Sequence, residues 1–443
     1  MERCAGNDVG KKWLSVCVMI GPLSGEARIE KRRFGTTVPD LQQLLCWLEK
    51  EGITHGVMES TGSYWKPVFN VWEEAVKVYL ANPHEVKARR GHQTDDQDGW
   101  WLAHLLRHAM IHPSFIPPRS IRELRDLTRR RDRLNGDGTS EKNRVQKILE
   151  DAKVKLGNVL SDVLGVSGQW MLNALLKGET KAEEIAQFAQ GRAKKRIPEI
   201  MAALEGHPMS EQHRKMIRYS LAHMRFLEEQ LEELEGDIIK RIRAAGWVKE
   251  WQLLQTVPGI QERSAAKILA ETRPDRTQFP SEREISSWAG VCPGNNRSAG
   301  KNKSSRTTGG HPWLGGALTE CAWAAAAKKN SFVKQKFWRI TTKLGGKKPP
   351  ALVAVAHSLL CLVYQVLRSG QPYRERQASA LPDTQKERLI RHPVPRLGQL
   401  GVRVYSNRQG PEKAGSQERR SATSPTDRRR KRNKPIRNEP ISN

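Results

Sequence analysis

Cysteine is scarce in this sequence, and no two cysteines form a CxxC pair: Cys4, Cys17, Cys46, Cys292, Cys321 and Cys361 are scattered over 443 residues. That pattern excludes a disulfide-stapled scaffold and argues against a structural zinc site; reduced thiols in a cytosolic setting are the expectation. An apolar leader is missing too, because the start MERCAGNDVGKKW is polar, so no secretory signal is expected. Long apolar runs are few. The longest, ALVAVAHSLLCLVYQVL, is short for a membrane span and carries His357 near its middle, which predicts a buried core helix and no membrane partner.

Acidic residues are in short supply: 48 Asp and Glu stand against 76 Lys and Arg, a net charge of +28. Residues 374–443 account for +11 of this, with 18 basic and 7 acidic residues, so the body of the chain still carries +17. A polyanionic partner is expected, most simply nucleic acid, because phosphate neutralisation supplies most non-specific binding energy.

What is present falls into four regions. Residues 1–118 alternate strand-like and helix-like segments. WLSVCVMIG, EARIEKRRF, THGVMES and VKVYLANP have strand character, and LQQLLCWLEKEG has helical apolar spacing and ends on glycine. This order suits one twisted sheet covered by helices. FIPPRS then marks a boundary. Residues 119–245 read as charged helices. Met224, Leu227, Leu231, Leu234 and Ile238 recur at three and four residues, the spacing of a coiled-coil seam, which suits dimerisation or packing on the chain's own helices. RLNGDGTSEKN, with the Asn135–Gly138 step, predicts a turn that breaks the helix.

Residues 246–373 open with LLQTVPGIQERSAAKILAET. This predicts two helices joined by a tight turn at Gly259 whose amides face outward, a hairpin suited to a phosphate backbone or an ordinary helical hairpin. An alanine-rich helix and the apolar helix around His357 follow, and residues 374–443 read as a basic disordered tail.

Four carboxylates stand out in the first region. Asp8 lies immediately before a strand-like run, and Glu59 closes another. Asp95 and Asp98 share one helix face at i, i+3. Hard oxygen donors of this kind are what two Mg²⁺ ions need for chemistry at a phosphodiester. Taken singly, the aspartates could equally complement a helix dipole or sit in turns.

The segments GNDVGKKWLSV, VMESTGSYWKPV, LANPHEVKARRGHQTDDQDGWWLAHLLRH and PSFIPP, followed by VPGI and WAGVCPGNNRSAGKNKSSRTTGGHPWL, resemble the insertion-sequence transposases that carry a DEDD motif in a RuvC-like domain. The resemblance runs in order over about residues 5–373. It implies a ribonuclease-H-like α/β N-terminal domain, a helical coiled-coil middle that supports a homo-oligomer, dimer or tetramer, and a mainly α C-terminal domain with a catalytic serine. Its DEDD carboxylates fall on Asp8, Glu59, Asp95 and Asp98, with Mg²⁺ as cofactor, and its serine on Ser298. Lys301, Lys303 and Arg306 become expected phosphate contacts beside that serine. DNA, as element ends and target, is the implied substrate, and a non-coding guide RNA that pairs with both is the implied partner. The competing expectations are a junction-resolvase-like nuclease that uses the carboxylates and a water, and a non-catalytic nucleic-acid-binding descendant of a transposase.

Overall fold

The computed structural model describes residues 1–60, 62–83, 86, 95–179, 181–273, 278–292, 296–298, 301–304, 307, 309–329 and 331–375, the side chains of residues 95–97, 296–298 and 301–304 excepted. The N-terminal region is a five-stranded sheet built from β1 (Arg3–Val9), β2 (Trp13–Ile20), β3 (Arg28–Gly35), β4 (His55–Glu59) and β5 (Lys77–Ala81). The strand order is β3-β2-β1-β4-β5. β1, β2 and β3 form an antiparallel meander, and β4 and β5 run parallel to β1. This is a ribonuclease-H-like sheet.

Helices cover both faces. On one side α1 (Val38–Lys50) and α2 (Trp65–Trp72) bury Leu44, Leu48 and Trp72 against Ala5, Val16, Val18 and Met58. Pro39 near the start of α1 and a capping box between Thr37 and Asp40 fix its first turn. On the other side α3 (Asp95–Arg107) buries Leu102, Ala103 and Leu106 against Cys4, Cys17, Met19 and Val57. Val16, Cys17, Val18 and Met19 are buried in succession along β2, Val16 and Val18 toward α1 and α2 and Cys17 and Met19 toward α3, because the strand is covered on both faces.

The sequence places Asp8 before its first strand, whereas Asp8 lies inside β1, the central strand. RCAGNDV hides its strand character because Gly6 must accept a helix backbone and Asn7 is a polar residue buried completely, its Nδ2 donating to the Val57 carbonyl at 3.0 Å.

The middle region is dominated by two long helices, α4 (Arg119–Asp151) and α9 (Glu211–Ala244). They pack as an antiparallel pair: Arg241 faces Glu123, Arg131 faces Glu235, and His223 faces Glu141. Met224, Leu227 and Ile238 are buried and Leu234 packs against the buried cluster, so this part of the apolar seam is spent within the chain. Between the two helices the chain forms a cap of short helices, α5 (Leu156–Val159), α6 (Val166–Lys177), α7 (Ala182–Ala186) and α8 (Ile197–Leu204), around Met171, Leu175, Ile185 and Ile200.

The turn expected at RLNGDGTSEKN is absent: α4 runs unbroken through it. Thr139 and Ser140 donate their hydroxyl protons to the carbonyls of Asn135 and Gly136 one turn back, so both hydroxyls are satisfied within the helix. Two glycines cost about 1 kcal/mol each, too little to break a helix anchored by packing at both ends.

The C-terminal region gathers α10 (Val248–Gln255), α11 (Glu262–Thr272), α12 (Glu282–Trp288), the hairpin β6 (Asn296–Ser298) and β7 (Lys301–Ser304), then α13 (Pro312–Ala327), α14 (Phe332–Lys343) and α15 (Lys348–Ser369). Its core also takes in Leu124 of α4 and Ile238 and Ile242 of α9. α15 is long and apolar enough to cross a membrane, and here it buries Val355, Leu359, Leu360 and Val363 in that core, as its composition predicts for a core helix. The basic tail lies, from residue 376 on, outside the described residues.

Candidate active site: carboxylates at one end of the sheet

β1 and β4 are parallel neighbours whose last paired residues are Asn7 and Met58. One step further along each strand stand Asp8 and Glu59. Residues in register share a face, and alternation puts these two on the face of Cys4, Gly6 and Val57, the face that α3 covers. Asp8 and Glu59 are therefore adjacent at the C-terminal ends of the two central parallel strands, both half-buried.

Two glycines bring the helix down onto that end. A Cβ on Gly6 would overlap the Gly99 carbonyl oxygen and stand 3.0 Å from the Ala103 Cα. A Cβ on Gly99 would stand 3.0 Å from the Ser15 carbonyl oxygen, 3.3 Å from the Gly6 carbonyl oxygen and 3.7 Å from the Asp8 amide nitrogen. Asp98, next to Gly99 in the first turn of α3, is thus carried beside Asp8. Asp95 begins the same helix, and its side chain lies outside the described residues.

Three of the four predicted carboxylates are brought to one end of the sheet. Among the described residues no three His, Cys, Asp or Glu side chains close on a common point tightly enough to hold a metal ion. The donor set itself is hard oxygen and fits Mg²⁺. Burial pushes the thiol of Cys17, on the same face, up to about 11. Gly6 and Gly99 were missed from sequence, although each stands next to or near a predicted carboxylate where only a glycine permits so close an approach.

Ser298 is the last residue of β6 and pairs with Lys301 across the tight hairpin to β7. Lys303 lies within β7. The side chains of Ser298, Lys301 and Lys303, and the whole of Arg306, are outside the described residues. The stem of this loop is fixed firmly. A Cβ on Gly310 would overlap Gly290, so the two ends of the loop touch. The His311 amide donates to the Trp288 carbonyl at 3.0 Å, and the His311 ring stacks on Trp288 at 4.5 Å. His311 also meets Arg129 of α4 at 3.2 Å, and Arg129 is paired in turn with the fully buried Glu271 of α11 at 2.9 Å. Burial, opposed by Glu271 and reinforced by the Arg129 and Arg125 charges, holds the His311 pKa below its ordinary value.

A tight turn joins α10 and α11 at Gly259, as the sequence predicts. Val257 and Ile260 are buried, and a Cβ on Gly259, at φ +82°, would stand 2.7 Å from the Ala325 amide nitrogen of α13. The turn is wedged into the C-terminal core, and this packing accounts for its glycine.

A sheet of this order with acidic residues at the ends of β1 and β4 and on the crossing helix defines the ribonuclease-H-like class of domain. A family model described as Transposase, for DEDD transposases of the IS110 type, matches residues 5–153, and one described as Transposase IS116/IS110/IS902 family matches residues 251–338. The chain belongs to this family of insertion-sequence transposases, which are DNA-recombining proteins. Among solved structures it is similar to Thermus thermophilus RuvC, at 16% identity over 25% of this chain and 99% of that one, with a TM-score of 0.20. It is also similar to T. thermophilus RuvC in complex with Holliday junction substrate, at 15% identity over 26% and 100%, with a TM-score of 0.20. No curated protein matches the chain.

Proposed function

We propose that the protein cleaves and rejoins DNA strands at the ends of an insertion sequence and at its target, using Ser298 as nucleophile and Asp8, Glu59, Asp95 and Asp98 as the holders of Mg²⁺. The observation that supports this best is the meeting of Asp8 and Glu59 one register step beyond Asn7 and Met58, under the helix that bears Asp98. When bound there, Mg²⁺ polarises a phosphate and stabilises the charge that develops on it. The Ser298 hydroxyl gives up its proton and its oxygen bonds to the DNA phosphorus, while the bond from phosphorus to the 3′-oxygen breaks and that oxygen leaves as a hydroxyl. The phosphoserine bond conserves the energy of the cleaved linkage, so a second 3′-hydroxyl can reverse the step onto a new partner strand. Lys301, Lys303 and Arg306 flank the serine and position the backbone.

The division of labour follows the sequence regions: residues 1–118 as the carboxylate domain, 119–245 as a helical spacer, 246–373 as the serine domain and 374–443 as a basic tail. Serine and carboxylates then meet within one chain or across a homo-oligomer, dimer or tetramer, when nucleic acid is bound. An element-encoded guide RNA selects donor and target by base pairing. The test is denaturing capture of DNA incubated with the protein in Mg²⁺. A covalent adduct that disappears in Ser298→Ala supports the reading. Strand cleavage without any adduct would assign the carboxylates to a water-using nuclease, and DNA binding with neither would assign a non-catalytic binder.

A further inference from the structure

The register of the sheet extends the carboxylate row past β1. Asp8 pairs with Ser15 on β2, and Ser15 pairs with Arg33 on β3. Partners in register share a face, so Glu59, Asp8, Ser15 and Arg33 form one row across four strands, all on the side of the sheet that α3 covers. Two strand spacings separate Arg33 from Asp8, about 10 Å between backbones. The Arg33 guanidinium lies 4.1 Å from the centroid of the Trp13 ring, and Arg33 is an exposed residue. Lys31, two residues earlier on β3, shares the face: it is in register with Cys17, and its charge acts on that thiol.

We infer that Arg33, seated on Trp13 and seconded by Lys31, binds a phosphodiester of the DNA strand next to the one held at the carboxylates. This deepens the proposed function and rests on it. A site made of four carboxylates repels a polyanion, so the flanking phosphates need cations placed beyond the acidic group but within a side chain's length of the same strand. Arg33 is placed in that way, on a rigid strand at a fixed step from Asp8. Stacking on Trp13 keeps the guanidinium plane ordered before DNA arrives, which lowers the entropy lost on binding. The guanidinium fork also suits two phosphate oxygens, which the lysine ammonium does not.

The experiment measures affinity for a fluorescent DNA duplex in Ca²⁺ over a range of salt, together with strand cleavage in Mg²⁺, for wild type, Arg33→Ala, Arg33→Lys and Asp8→Asn. Arg33→Ala is expected to reduce affinity about tenfold and the salt slope by about one phosphate contact. It should raise KM more than it lowers kcat, and Arg33→Lys should restore the slope but only part of the affinity. An unchanged slope and affinity in Arg33→Ala, with cleavage still abolished by Asp8→Asn, overturns the inference and leaves the carboxylate site standing. Cleavage that survives Asp8→Asn overturns both. An intact far-UV and thermal profile in each variant separates loss of binding from loss of fold.

Discussion

Gly6 of the central strand and Gly99 of α3 meet backbone to backbone: a Cβ on Gly99 would stand 3.3 Å from the Gly6 carbonyl oxygen, and a Cβ on Gly6 would overlap the Gly99 carbonyl oxygen. That contact sets how close Asp98 comes to Asp8. Gly6→Ala is expected to destabilise the N-terminal region by about 3 kcal/mol, because backbone cannot yield as a flexible side chain would. The check is a denaturant midpoint, and cleavage should fall even at temperatures where the variant remains folded. A midpoint matching wild type would mean that α3 is free to ride higher on the sheet.

The interior of α4 gives the opposite prediction. Among the described residues nothing beyond the helix's own backbone lies within 4 Å of a Cβ added at Gly136 or Gly138, and both lie inside a 33-residue helix. Each Gly→Ala change should stabilise the protein by about 0.5–1 kcal/mol, through helix propensity and a less flexible unfolded chain. Thermal unfolding of the double variant should show a rise. A fall would indicate that the helix breaks there in solution.

His311 predicts a dependence on pH. Its pKa is lowered in the folded chain, mainly by burial, so the unfolded chain takes up the proton first as the solution is acidified. The stability tied to the neutral ring is complete above the ordinary histidine value of about 6.5 and is lost as pH falls below it toward the folded pKa. The difference in thermal midpoint between wild type and His311→Gln should therefore shrink between neutral pH and about pH 5.5. A constant difference over that range would exclude the ring's titration as the cause.

Gly259 carries a separate structural prediction. Its φ of +82° and its approach to Ala325 both exclude a side chain, so Gly259→Ala should cost about 2–3 kcal/mol and loosen α13 from the helical hairpin. Hydrogen exchange along α13 should rise in the variant, and unchanged protection there would contradict the packing role.

The placement of Glu59 at a strand end and of Asp95 and Asp98 in the first turn of a helix was legible in the sequence, from GVM before the first and the apolar helix face after the other two. β1 was not legible, although it is the centre of the sheet. Its Gly6 answers to a helix packed across it, and Asn7 is buried with its amide on Val57, so the usual apolar alternation is missing. The continuity of α4 was hidden for a related reason. Local glycine and asparagine signals predict a turn, while packing against α9 and the α11 region holds the helix through them. The β6–β7 hairpin was also unforeseen, since a segment rich in glycine, serine and lysine carries no alternation that marks a strand.

Whether Ser298 and the carboxylate end of the sheet act as one site is read from the covalent DNA adduct in paired variants. Wild type with Mg²⁺ should form the adduct, Ser298→Ala none, and Asp8→Asn at least about 100-fold less, on the scale of removing one group that stabilises transition-state charge. An adduct that forms undiminished in Asp8→Asn, or persists in Ser298→Ala, would contradict a shared site.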